Sequence, residues 1–381
     1  MTDWLAVADE LAETLRADAA DRDRAGAPPV REAELLRASG LLAIPPDDHV
    51  TTHAVSRVVA AADASVGHVL GYHFLHLWRF GLFENPVATQ RIWRETAEED
   101  LLWAGVSNPG DALTLTTAGD GFLINGRRVF ATGAAVADRL IVNATRVDTG
   151  ERLTIDVPTA TAGISHPPDW DNMGQRLSAS GSVVFDDVRV GPEQVIGTLP
   201  AEDDDPKWVR LSLSALAYQS MLTQVCVALA EGALAQAADY TRRFSRPWPL
   251  SGVDKAERDP HVLAGYGELL ADVRAAGLLA DHAVVALRDA DGRGAALTAR
   301  QRGETGVAIS AAKVVATRVA NHTTAKVFEY TGARSTGAGH GFDRFWRNAR
   351  TLTLHDPVAY KAREVGAHFL SGDLPPYTSY S

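Results

Sequence analysis

Two clusters of polar side chains in this sequence combine residue types that can move protons. The segment RTLTLHDPVAY, residues 350–360, places His355 and Asp356 directly before Pro357. Histidine has a reference pKa of about 6.5, so it can donate or accept a proton near neutral pH. Proline breaks or kinks a helix, so His355 and Asp356 lie where the backbone changes direction. Acid–base chemistry is one interpretation of His355, and a charge that stabilises a helix C-terminus is the other.

The second cluster lies in GHVLGYHFLHLW, residues 67–78, and contains His68, Tyr72, His73 and His76. His68 and Tyr72 are one helical turn apart, so both side chains can face one cavity. They can equally be interior polar groups whose hydrogen bonds are satisfied. His73 points away from that face and His76 lies two turns from His68, which makes both weaker candidates. No carboxylate falls at ligand spacing within the cluster, so we expect no metal site.

The composition excludes several classes of protein. With 381 residues, 46% hydrophobic and 22% charged, the chain can bury a substantial core. Its net charge of -11 argues against a nucleic-acid surface, which would be basic. The single cysteine, Cys226, rules out an internal disulfide and suits a reducing compartment. The N-terminus lacks a secretory signal, and no uninterrupted apolar run approaches the roughly 18 residues of a membrane span, so we expect a soluble cytoplasmic protein.

The hydrophobic pattern divides the chain into three regions and a linker. Residues 1–100 carry apolar side chains at helical spacing and predict an N-terminal helical domain. Residues 101–198 alternate apolar and polar side chains between turn signals, which predicts a β domain. Residues 199–207 form an acidic, proline-flanked linker. Residues 208–381 predict an antiparallel four-helix bundle, with helical segments at about 208–245, 261–289, 303–331 and 341–371.

Motifs in these regions resemble those of a known superfamily. DGFLINGRRVFATGAAVADRLIVNA and DNMGQRLSASGSVVFDDVRVG resemble two β-domain blocks of the acyl-CoA dehydrogenase superfamily, and YTRRFSRPW resembles the turn that opens its bundle. GHVLGYH, TGARST, GFDRFWRNARTLTLHDPVAYK and the closing LPPYTSYS resemble its dibenzothiophene monooxygenase branch. The resemblance covers nearly the whole chain. It implies an α+β, acyl-CoA dehydrogenase-like fold: an N-terminal helical domain, a central β-barrel domain and a C-terminal four-helix bundle.

The resemblance also implies an activity, a cofactor and partners. Enzymes of this branch are two-component monooxygenases, in which an NAD(P)H-dependent flavin reductase supplies reduced FMN. The reduced FMN reacts with O2 to form a flavin C4a-hydroperoxide, which oxygenates a small apolar or sulfur-containing substrate. Family members are homotetramers packed through the bundle, and we expect the apolar faces of residues 208–245 and 303–331 to mediate this association.

Two other functions remain open at this stage. Many acyl-CoA dehydrogenases carry a carboxylate base in a Tyr-Glu-Gly-Thr-like loop near the C-terminus, but the matching segment here, TLTLHDPVAY, contains no glutamate. This difference favours the monooxygenase. The alternatives are an acyl-CoA dehydrogenase or FAD oxidase with a relocated base, and a non-catalytic helical scaffold of the same fold.

The resemblance gives four residues possible catalytic roles. His355 would face a flavin cavity as the acid–base group, and His68 and Tyr72 would face the same cavity. Asn108, in GVSNPGD, matches a pocket asparagine whose amide can donate a hydrogen bond to a flavin oxygen or a peroxide. Asn108 can instead be a simple turn former before Pro109 and Gly110.

Five further residues match cofactor-binding positions. Thr132, in FATGA, matches a serine or threonine near flavin N5, and Gly133 follows it in the same segment. Trp170 matches a tryptophan that forms a wall against the isoalloxazine, although a buried aromatic is often plain core. Arg246 and Arg334 occupy the places where the branch binds phosphate, a role that suits the arginine fork. Both follow predicted helices, so these helix ends could meet across subunits and complete one phosphate site.

Overall fold

The structure, a computed structural model, describes residues 2–83, 85–107, 113–202 and 204–378. In these residues helices come first, a sheet follows, and long helices complete the chain. This order confirms the predicted fold class, with helical and sheet domains.

The N-terminal region is helical. Its helices are α1 (Trp4–Arg16), α2 (Ala19–Ala25), α3 (Val30–Ser39), α4 (His49–Ala62), α5 (Ala64–Phe80) and α6 (Pro86–Glu99). Asp63 caps the start of α5, since its carboxylate accepts hydrogen bonds from the backbone N–H groups of Ser65 and Val66 at 3.1 and 3.2 Å. Every residue of α5 is buried, because this helix lies between the other helices, the sheet and the bundle.

In the described residues, eight strands form one mixed sheet. They are β1 (Trp103–Val106), β2 (Leu113–Ala118), β3 (Gly121–Arg128), β4 (Arg139–Arg146), β5 (Arg152–Pro158), β6 (Ile164–Ser165), β7 (Val183–Val190) and β8 (Val195–Leu199). The hydrogen-bonded order is β6-β7-β3-β2-β4-β5-β8, with β1 paired to β4. The β1–β4 and β2–β4 pairs are parallel and the remaining pairs are antiparallel. Leu113 and Leu115 are buried while Thr114 and Thr116 are exposed, so the predicted alternation holds in β2.

The C-terminal region packs around one apolar helix. Its helices are α7 (Lys207–Leu211), α8 (Leu213–Phe244), α9 (Pro260–Asp291), α10 (Ala299–Thr331), α11 (Asp343–Leu352) and α12 (Val358–Ser371). The stretch Lys207–Phe244 is long and apolar enough to cross a membrane, but 89% of its most apolar window is buried inside the chain. Burial of this kind is the packing of a core helix.

The last predicted helical segment, 341–371, is divided into α11 and α12. Pro357 lacks a backbone N–H and disfavours the helical conformation of the residue before it, so the helix stops and restarts. The chain between Leu352 and Val358 therefore forms a turn, which carries His355 and Asp356.

Candidate active site

A cavity of about 760 Å³ lies between α5, the sheet, the start of α8 and the turn between α11 and α12. This volume falls within the range of small-molecule and cofactor pockets, roughly 300–1,000 Å³. Of the residues predicted from the sequence, the lining includes His68, Tyr72, Thr132, Trp170 and His355. The fold therefore brings residues from all three regions of the chain to one site.

Helix α5 supplies a row of polar side chains along the cavity: His68, Tyr72, His76 and Arg79. Their spacing of four, four and three residues keeps them on one helical face over about 16 Å. The same periodicity continues through His76, a weaker candidate from the sequence, and through Arg79, which no motif indicates. His73 lies off this face and bonds to the backbone, at 3.2 Å from both Leu42 O and Trp103 N.

His68 is a neutral hydrogen-bond acceptor in the cavity. Its Nδ1–H donates to the Gln175 side-chain oxygen at 3.2 Å, which leaves the lone pair on Nε2. Burial lowers the pKa of His68 to about 3, so the ring carries no charge at neutral pH. Among the described residues, His68 Nε2 and the Tyr72 hydroxyl have no hydrogen-bond partner. The two rings are in edge contact, with their centroids 4.3 Å apart.

Gln175 connects His68, Trp170 and α11 through hydrogen bonds, a role that the sequence analysis missed. Its backbone N–H donates to Asn348 Oδ1 at 2.6 Å, and this hydrogen bond connects the loop that contains Gln175 to α11. Its carbonyl oxygen accepts from Trp170 Nε1 and from the Ser178 hydroxyl, both at 2.8 Å. Gln175 has a positive φ of 55°, an uncommon conformation for a residue other than glycine, and these bonds maintain it. Gln175 lies in the segment DNMGQRLSASG, which resembles a family motif, but the motif does not indicate a role for this residue.

Thr132 belongs to a chain of hydroxyl groups in the cavity wall. Its Oγ1 lies 2.9 Å from Ser180 Oγ, which lies 2.7 Å from Ser178 Oγ. Gly133 is different, since it is not among the lining residues. Its φ is +76° and its N–H donates to Ser178 O at 2.9 Å, so it positions this segment of backbone rather than contacting the cavity.

His355 lies in the turn after α11, with its side chain 46% exposed and its Nδ1 3.3 Å from Asp356 Oδ1. Burial acts to raise the pKa of Asp356, but the hydrogen bond to His355 and the charges of His355, Lys313 and Lys361 lower it below its usual value. Asp356 is therefore ionised and accepts from His355 Nδ1–H. His355 Nε2 is then the ring nitrogen left for a partner in the cavity.

Arg246 and Arg334 do not line the cavity of their own chain. Asn108 lies outside the described residues. Arg246 and Arg334 are exposed and follow the ends of α8 and α10, where Ser245 Oγ donates to Thr331 O at 2.9 Å. The two helix ends that we expected to meet across subunits are thus adjacent within one chain. About 40 Å of helix separates Arg246 from the cavity residue Tyr218.

The lining fits a flavin ring system. An isoalloxazine offers N–H and C=O groups along its edge and a flat apolar face, and the cavity offers hydroxyls, a tryptophan and unpaired polar atoms. Buried polar atoms without a protein partner indicate a missing ligand or water, and here they include His68 Nε2, Tyr72 OH, Gln175 Nε2 and His76 Nε2 among the described residues. Among all the residues that the structure describes, no group of three or more His, Cys, Asp or Glu residues could hold a metal ion.

Comparison with known proteins gives consistent matches. The family model for the acyl-CoA dehydrogenase C-terminal domain matches residues 220–360. The chain is 36% identical to a dibenzothiophene monooxygenase of Rhodococcus erythropolis, covering 98% of this chain and 94% of that protein. It is 37% identical to the probable FMNH2-dependent monooxygenase SfnC of Pseudomonas putida, covering 99% and 97% of the two chains. The FMN-bound structure of TdsC from Paenibacillus sp. A11-2 superposes with a TM-score of 0.93 at 37% identity, covering 100% of both chains.

Proposed function

The chain belongs to the dibenzothiophene monooxygenase family, within the acyl-CoA dehydrogenase superfamily, and on this basis we propose that it oxygenates a small apolar or sulfur-containing substrate. It is a flavin-dependent monooxygenase that uses reduced FMN, and a separate flavin reductase supplies that FMN. The observation that carries the substrate proposal is the cavity itself. Its polar row on α5 continues into apolar walls formed by Leu82, Phe83, Leu199, Trp208 and Leu211.

The same cavity argues against the dehydrogenase alternative. Removal of the α-proton of a thioester needs a carboxylate base, and Asp356 is the carboxylate among the described lining residues. The lowered pKa of Asp356 makes it a weak base, and its Oδ1 is engaged with His355. A monooxygenase needs no such base, so the lining suits it better.

Different residues of the cavity would have different roles in the reaction. When bound, reduced FMN supplies the two electrons that activate O2, so that one oxygen atom enters the substrate and the other leaves as water. Thr132, Trp170 and Gln175 would hold the flavin ring, and His68 Nε2 would accept a hydrogen bond from it. His355 holds or releases a proton at Nε2, and Asp356 orients the ring through Nδ1. The buried walls exclude water, which suppresses loss of the activated oxygen as peroxide.

Arg246 and Arg334 of a second copy of the chain would bind the FMN phosphate. Both are exposed, they follow neighbouring helix ends, and neither lines the cavity of its own chain. The enzyme is accordingly a homotetramer in this proposal, as the family resemblance suggests. Most apolar side chains of α8, in the predicted segment 208–245, are buried within the chain, and Phe244 at its end is an exposed one.

Other helices carry the apolar surface that a tetramer needs. On α9, Leu263, Leu270, Leu278 and Val285 are exposed at intervals of seven or eight residues, which places them on one side of the helix.

We also assign the protein to the cytoplasm, where a reductase and nicotinamide cofactors are available. Cys226 is a buried free thiol, which agrees with a reducing compartment.

Replacing Arg334 with alanine is expected to weaken FMN binding by about 1.5–3 kcal/mol, the range for hydrogen bonds to charged groups. Riboflavin, which lacks the phosphate, should bind equally well to both proteins. Fluorescence titration of both flavins measures the effect, and Arg318→Ala on the exposed face of α10 is the matched control. Equal losses for FMN and riboflavin would show that Arg334 does not bind the phosphate.

The function is tested with the purified protein, a flavin reductase, NADH and FMN under 18O2. We expect one 18O atom in the product of a small sulfide or of dibenzothiophene. Recovery of all reducing equivalents as hydrogen peroxide, with no labelled product from a panel of apolar and sulfur-containing compounds, would contradict the proposal.

A further inference from the structure

Arg79 is a buried cation without a carboxylate partner among the described residues. Its side chain lines the cavity, and the residue is 7% exposed. Its Nη1 donates to Ser107 Oγ at 2.8 Å and to the Tyr218 hydroxyl at 3.3 Å, and both acceptors are neutral. A guanidinium has five N–H donors, so most of its capacity is unused. Burial of an uncompensated charge is costly, which indicates that an anion from outside the chain completes this site.

The neighbouring hydrogen bonds make this end of the cavity rich in donors. Because the Tyr218 oxygen accepts from Arg79, its O–H donates to His76 Nδ1 at 3.0 Å. His76 then carries its proton on Nε2, which has no protein partner among the described residues. Burial, and next the charge of Arg79, lower the pKa of His76 well below 6.5, so its ring is neutral. Arg79 and His76 both line this end of the cavity.

Gly105 on β1 makes this arrangement possible. A Cβ at this position would overlap the imidazole of His76 at Cε1 and Nε2. The bare backbone leaves room for the ring beside the strand, with Nδ1 bonded to Tyr218. At the other end of the polar row on α5, His68 offers a hydrogen-bond acceptor, the lone pair of Nε2, instead of a donor. One cavity therefore has an acceptor end near Trp170 and Gln175 and a cationic donor end near Tyr218.

We propose that Arg79 selects the substrate by binding an acidic group, so that the preferred substrates are organic oxyanions, either sulfinates or carboxylates, on a small apolar body. This inference rests on the proposed function, because it names the substrate class of the same cavity. The apolar walls near Arg79, formed by Leu82, Phe83 and Trp208, would contact the body. The net charge of -11 repels anions at long range, so recognition depends on this local site.

The inference is tested by calorimetric titration of the flavin-free protein with benzenesulfinate and benzoate, and with the neutral analogues methyl phenyl sulfoxide and benzamide. We expect the wild-type chain to bind each anion at least tenfold more tightly than its neutral analogue. Arg79→Met should weaken anion binding by about ten- to a hundredfold, the loss of hydrogen bonds to a charged group. The neutral analogues should be unaffected.

Two further variants separate the site from general effects of charge and folding. Arg210→Met removes a nearby guanidinium that bonds to Gly81 O at 2.8 Å and does not line the cavity, so anion binding should stay at the wild-type value. Arg79→Lys keeps the charge but loses the planar fork, and we expect an intermediate loss. If Arg79→Met does not fold, the Lys variant and the wild-type selectivity still decide the question.

Three results would overturn the inference. The first is a wild-type chain that binds the neutral analogues as tightly as the anions. The second is an equal loss of anion and neutral binding in Arg79→Met. The third is a selective loss of FMN over riboflavin in that variant, which would assign Arg79 to the cofactor phosphate. The titrations contain no flavin, so they test the anion site independently of the monooxygenase activity. Absence of anion selectivity together with 18O in neutral sulfides would contradict only the anion site. Absence of 18O product would contradict only the monooxygenase activity.

Discussion

Alanine in place of His355 is expected to lower product formation by about a hundred- to ten-thousandfold, the usual contribution of a general acid–base group. His355 lines the cavity, and its Nδ1 lies 3.3 Å from Asp356 Oδ1, which leaves Nε2 as the ring nitrogen for a partner. Reduced flavin should still be consumed in the variant, so its electrons should appear as hydrogen peroxide. Parallel assays of product, NADH and peroxide measure this uncoupling.

The matched control is His322→Ala, since His322 is exposed on α10 and does not line the cavity. Its product yield should equal that of the wild-type enzyme. An unchanged yield in His355→Ala would leave His355 as a residue that only stabilises the end of α11, the alternative interpretation of its position.

Acidification from pH 7 to pH 5 is expected to lower the free energy of unfolding by several kcal/mol. Burial lowers the pKa of His53, His68 and His73 to about 3 in each case. Their unfolded-state pKa is about 6.5, so below that pH the unfolded chain binds more protons than the folded chain. Stability is therefore unaffected above pH 6.5 and falls as the pH drops from 6.5 towards 3. The slope is about 1.4 kcal/mol per pH unit for each histidine, or roughly 4 for the three together.

Urea denaturation at pH 7, 6 and 5 measures the change. His73→Gln should reduce the slope between pH 6 and pH 5 by about 1.4 kcal/mol per pH unit, because the glutamine amide can replace the bonds to Leu42 O and Trp103 N without titrating. The exposed His322 offers a control, since His322→Gln should leave the slope unaltered. Identical free energies of unfolding at pH 7 and pH 5 would mean that these histidines are solvated in the folded protein.

The local structure and the family could be predicted from the sequence alone. Alternation in β2, the proline that divides α11 from α12, and the four-residue spacing of His68 and Tyr72 all concern neighbours within a few residues. Their geometry follows from backbone dihedrals and helical periodicity, so it can be predicted from one chain. The motifs added the cofactor and the reaction, because GHVLGYH, TGARST and the C-terminal segments resemble one monooxygenase branch of the superfamily.

Which distant residues meet could be read only from the folded chain. His68 and Gln175 are separated by 107 positions, and Gln175 and Asn348 by 173, and no periodicity relates such residues. The structure likewise showed that Arg79 is buried without a carboxylate among the described residues, and that Arg246 lies at the far end of the bundle. A partner for a buried charge depends on how several elements pack together, and this packing is a property of the whole fold rather than of any local segment.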